Sequence, residues 1–148
     1  METIEQKIGK VFKNGQSVLF LERDNGLHNA VGNFETILLE QQVKYNALFR
    51  IDKLPMEYII EQLEFFEIIV FQTGWDSDIS ENLEKLLYSK KFERPKIIVE
   101  CFSSRPTWDQ QQPVDHEFYV FRDWSDEDRS VDRSEWGFKQ LTKERLVW

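Results

Sequence analysis

Carboxylates that directly follow an apolar run are the first residues in this sequence able to do chemistry. Asp76 and Asp78 come straight after EIIVFQT, in the segment TGWDSD. If that run is a strand, both acids lie at its carboxyl end, the side on which open parallel sheets bind ligands. Glu100 ends a second run of the same kind, KIIVE, and approaches Asp76 if the two strands are parallel neighbours. Carboxylates converging there are donors for a hard cation such as Mg²⁺, with Trp75 as a lid or stacking surface. The competing reading is structural. Asp78 and Glu81 have capping-box spacing, and acids in a first helical turn complement the helix dipole.

Two further places carry reactive side-chain types. Asp115-His116-Glu117 reads as a ligand cluster on paper, but neighbours along a strand point to opposite faces, so at most two can share a metal. The alternative is a solvated strand edge with His116 at the surface. Cys101, the single cysteine, sits in the apolar run KIIVECF, which fits a buried structural thiol better than a nucleophile. One cysteine excludes an internal disulfide and the Cys-rich zinc cages, and two histidines are too few for a His-based metal site without carboxylates. No dinucleotide fingerprint, Walker loop, HExxH, GxSxG or EF-hand loop occurs, so neither a cofactor nor a resident metal is implied.

The other candidate surface is DWSDEDRSVDRSEW. Between residues 109 and 135 nine acids face three arginines, a difference of −6 within a chain of net charge −8. An acidic surface repels nucleic-acid phosphates and anionic lipid and attracts basic proteins. Trp124, Asp126, Glu127, Asp128, Asp132 and Trp136 are therefore candidate partner-binding residues: charge speeds encounter, and desolvated aromatics then hold the complex. Against this stands a solubilising loop of surface Asp-Arg pairs, each worth little, with its Trp residues in the core.

These residues need a scaffold, and the chain has the means to build one. At 148 residues it has the length of one domain, read here as 1–148, and 12 Phe, 5 Trp and 4 Tyr can fill its interior. No apolar run reaches the roughly 20 residues that span a bilayer, and METIEQKIGK lacks a secretory apolar stretch, so a cytoplasmic location is expected.

Ile4, Ile8, Val11 and Phe12 recur at helical spacing after Thr3, with Asn14-Gly15 as a stop. Ser17 to Arg23 reads as a strand. The stretch 34–40 fits either period and is assigned to a strand, and Val43 to Asp52 alternates with period two. Pro55 opens a helix with Met56, Ile59, Ile60 and Leu63 on one face. EIIVFQT, a helix marked by Ile79, Leu83, Leu86 and Leu87, and KIIVECF then form a right-handed βαβ unit with central strands. EFYVFRDW reads as a returning strand, and 134–146 as a closing helix.

The expected fold is α+β or α/β: one mixed sheet, with antiparallel N-terminal strands plus the parallel βαβ unit, flanked by helices. The same element order occurs in restriction-endonuclease-like cores, but their acid and acid-x-Lys pattern is missing: Arg50-Ile51-Asp52-Lys53 and Glu40-Gln41-Gln42 stand in those places. The functional expectation is a non-enzymatic acidic interaction domain, of the immunity or inhibitor kind, with a basic protein partner and neither nucleic acid nor membrane. The alternatives are a small Mg²⁺-dependent hydrolase or degenerate nuclease-like domain using Asp76, Asp78 and Glu100, and a subunit of a larger assembly.

Overall fold

A computed structural model describes residues 2–12, 16–22, 30–41, 47–50, 54–73, 83, 86–87, 91–102, 116–123 and 132–141. Helix α1 (Ile4–Gly9) begins with a capping box. The Thr3 hydroxyl accepts from the Gln6 N–H at 3.1 Å, and the Gln6 side chain accepts from the Thr3 N–H at 2.9 Å. Strand β1 (Val18–Glu22) follows, then helix α2 (Ala30–Glu40), strand β2 (Ala47–Arg50) and helix α3 (Met56–Gln62). Strands β3 (Ile68–Thr73), β4 (Ile97–Phe102) and β5 (Glu117–Arg122) complete the parallel part of the sheet. A 3-10 turn (Arg133–Glu135) then leads into strand β6 (Gly137–Leu141).

The six strands form one mixed sheet in the order β2-β1-β3-β4-β5-β6, parallel except for the antiparallel β5–β6 pair. The mixed sheet flanked by helices is the expected fold class, of α/β type. The antiparallel pair lies at the C-terminal edge and not, as the sequence suggested, between the N-terminal strands. The reason is α2. Residues 34–40 are helical, so β1 and β2 are joined by a helical crossover, which returns the chain in the same direction, and not by a hairpin. Ala30, Val31, Phe34, Ile37 and Leu38 are all buried, a spacing that only a helix places on one face. With a helix there, the nuclease-like run of three strands does not exist.

The second correction is at the C-terminal end, where a helix was expected over 134–146. Phe138 instead enters the core from β6, its ring stacked on Tyr119 of β5 at 5.2 Å with 3° between planes and tilted against Phe12 and Phe34. That non-local packing outweighs a helical propensity already weakened by Gly137.

Chain order around β1 and β3 explains the two layers. From β1 the chain steps outward to β2, and from there it returns past β1 to β3 and β4. Right-handed crossovers in opposite directions must cover opposite faces. Accordingly α1 and α2 pack on Val18, Phe20, Ile68, Val70, Val99 and Cys101, while α3 and the helical residues Leu83, Leu86 and Leu87 pack on Leu19, Leu21, Ile69, Phe71 and Ile98. β3 and β4 are buried on both faces, as their unbroken apolar runs require. Among the described residues no helix is long and apolar enough to cross a membrane.

Candidate functional site

The topology puts a switch point between β1 and β3, and the carboxyl ends of the strands there are where a doubly wound sheet binds ligands. Side chains at that end are arranged by α2. The Gln72 Oε1 of β3 accepts from the Ala30 N–H at 2.9 Å and the Val31 N–H at 3.4 Å, fastening the helix start to the sheet. Asp123, which follows β5 and is 1% exposed, accepts from Asn33 Nδ2 of α2 at 2.6 Å. Backbone donors left over at a helix start are thus met by a side chain from the sheet.

Glu100 lies on the other face. It stands in register between Phe71 of β3 and Val120 of β5 and is 1% exposed. β3 and β4 are parallel neighbours, which is the condition for Glu100 to lie near the segment that follows Thr73. Glu100 is two residues short of the Thr73–Phe102 pair, so its Cα is roughly 7 Å inside the strand ends. Asp76 and Asp78 lie outside the described residues. Two nearly inaccessible carboxylates, Glu100 and Asp123, therefore belong to the same end of adjacent strands on opposite faces of the sheet. Between them in sequence, burial pushes the Cys101 thiol well up, and the negative charges of Asp123 and then Glu100 add to this. Cys101 is thus a protonated structural thiol, as its sequence context indicated.

His116 corrects the surface reading. It is 9% exposed, lies between the rings of Phe92 at 5.3 Å and Phe118 at 5.9 Å, and its Nδ1 accepts from the Lys96 backbone N–H at 3.0 Å. It joins the start of β5 to the start of β4 and does not form a ligand cluster with Glu117, which is exposed and accepts from the Tyr119 hydroxyl at 3.2 Å. Asp115 lies outside the described residues. Among the described residues no group of three or more His, Cys, Asp or Glu could hold a metal.

Of the partner-binding candidates, Trp124, Asp126, Glu127 and Asp128 lie outside the described residues. Asp132 is exposed. Trp136 is half-buried, packed edge-on against Phe121 at 5.6 Å, with the Arg133 guanidinium 5.4 Å from its ring centre. Arg133 in turn binds Glu40 through Nη1 at 2.7 Å and Nη2 at 3.3 Å, and Glu5 through Nη1 at 3.2 Å. Beside this cluster α1 and the 133–136 turn enclose a groove of about 400 Å³, lined by residues that include Glu2, Glu5, Lys7, Arg133 and Trp136.

Sequence reasoning passed over Gln72, Asn33, Asp123 and Arg133. Only Gln72 carried a local signal, a polar residue that directly follows the Ile, Ile, Val and Phe of its strand. The chain matches no family model, no curated protein and no solved structure.

Proposed function

We propose that this chain is a non-enzymatic, acidic interaction domain that binds a basic protein partner, as immunity and inhibitor proteins do. The observation that carries the reading is Arg133. It is the cation closest in sequence to Asp132, and Glu5 and Glu40 already engage it. Its charge is therefore matched within the fold, which supports reading the acidic excess of the sequence over 126–132 as an attraction for a basic partner. The half-buried Trp136 at the adjoining groove supplies the aromatic surface that such interfaces use as an anchor.

The test is capture from source-cell lysate by wild type and by Asp126→Asn/Glu127→Gln/Asp128→Asn, followed by affinity measurement with the captured protein after purification. A basic protein held by wild type, with affinity that falls with salt and falls again on neutralisation, bears the reading out. Equal affinity for both chains sinks it.

A second reading has its own support, the nearly inaccessible carboxylate of Glu100 toward the carboxyl end of β4. In it the chain is a small Mg²⁺-dependent hydrolase whose site is completed by Asp76 and Asp78 beside Glu100. It requires that millimolar Mg²⁺ or Mn²⁺ raise the melting temperature and that Asp76→Asn abolish the rise, because a ligand bound to the folded state must stabilise it. No shift in wild type removes it.

A further inference from the structure

The place where Arg133 sits has the chemistry to receive any arginine. Glu40 takes the two Nη atoms on its two oxygens at 2.7 and 3.3 Å, Glu5 adds a third contact at 3.2 Å, and Trp136 offers a ring face 5.4 Å from the guanidinium carbon. A planar fork bonded to both oxygens of a carboxylate and laid on an aromatic face separates a guanidinium from an ammonium. The site is open. The Arg133 side chain is 37% exposed, and the groove of about 400 Å³ runs beside it. Exposed ion pairs of this kind are individually weak. An arginine presented by a partner with many other contacts can therefore displace it.

We propose that Glu5, Glu40 and Trp136 form a guanidinium-accepting site for an arginine of a basic protein partner, which the free chain fills with its own Arg133. This rests on the interaction reading above and names the side chain that the partner supplies. The acidic charge of residues 126–132 attracts such a partner, and the exchange of one guanidinium for another fixes where it lands.

The test is an NMR titration of Arg133→Ala with argininamide at fixed ionic strength, followed at the Trp136 indole. Lysinamide serves as the ammonium control, and Lys91→Ala, an exposed lysine outside the groove, as a variant with the same change in net charge. Argininamide is expected to bind Arg133→Ala about fivefold or more tightly than it binds wild type or Lys91→Ala, and with a similar preference over lysinamide. Adding Glu40→Gln should remove the gain. Arg133→Gln, which keeps a neutral hydrogen-bonding side chain, serves if Arg133→Ala does not fold. Equal affinity across wild type, Lys91→Ala and the Arg133 variants, or an equal response to the two amides, overturns the site. Because the probe is a small cation, that result would leave the interaction reading standing, to be decided by the captured partner.

Discussion

Asn33 Nδ2 donates to Asp123 Oδ2 over 2.6 Å, joining the first turns of α2 to the residue that leaves β5, 90 positions away in sequence. Asp123 is 1% exposed, so its carboxylate has exchanged water for protein partners. Breaking a hydrogen bond to a buried charged group costs about 1.5–3 kcal/mol. Asp123→Ala is expected to lower unfolding stability by that amount in urea titration, and Asn33→Ala by at least as much, since it leaves the buried acid without that donor. A double variant no less stable than Asp123→Ala alone would confirm that the two act as one unit. Independent, additive losses would show that they do not.

Gln72 tests how α2 is held over the switch point. Its Oε1 serves two N–H groups at the start of the helix, the function a capping side chain would otherwise perform from within the helix. Gln72→Leu keeps the bulk and removes the acceptor, and it should cost about 1 kcal/mol, in the range of a lost cap. The loss should appear as faster amide exchange at Ala30 and Val31. Unchanged exchange there would mean that the helix start is fixed by packing of Val31 and Phe34 alone.

Which parts of this molecule could be read from sequence follows from how local their causes are. β3 and β4 were legible because continuous Ile-Ile-Val runs make sense only for strands covered on both faces, and their parallel pairing followed from the helix between them. Phe34, Ile37 and Leu38 fit two periods equally. The residues that decide for a helix, Ala30 and Val31, precede the Gly32-Asn33 pair, which reads as a turn. β6 was hidden because its reason for being extended is Phe138 against Tyr119, a contact that no local pattern announces. At the candidate site the same division holds. Glu100 was placeable from strand order, whereas Asp123 with Asn33 and Arg133 with Glu5 and Glu40 depend on residues 90 or more positions apart.

Lys96 is the buried cation of the amino end of the sheet. Its Nζ donates to the carbonyls of Phe66 at 2.7 Å and Glu64 at 3.1 Å and lies 4.9 Å from the centre of the Phe92 ring. Burial lowers its pKa, and the charges of Glu64 and Glu67 work against that fall. The two carbonyls belong to a 3-10 turn (Leu63–Phe65) and to its cap Phe66, which lead into β3, so their donor holds the turn closed. Lys96→Met preserves the stem and should destabilise the fold by about 1–3 kcal/mol at neutral pH through unsatisfied carbonyls. Wild-type stability in the variant would mean that desolvating the ammonium costs as much as its hydrogen bonds return.

Tyr119 gives the fold a distinct alkaline limit. Burial, followed by the negative charge of Glu117, pushes its phenol from the ordinary 10.0 up to about 12. A folded-state value above the unfolded one means that the native protein holds this proton more tightly. The resulting stabilisation is complete below pH 10.0 and is lost as pH rises through about 12. Tyr119→Phe keeps the ring stacked on Phe138 and removes the titrating group. The difference in stability between wild type and Tyr119→Phe is therefore expected to stay constant up to about pH 10 and to move in favour of the variant above it. Lys96 is common to both chains, so its own titration cancels in that difference. A difference that is flat across the alkaline range, with the tyrosinate absorbance of wild type minus Tyr119→Phe appearing near pH 10, would show that Tyr119 ionises without strain and that its burial does not limit the fold.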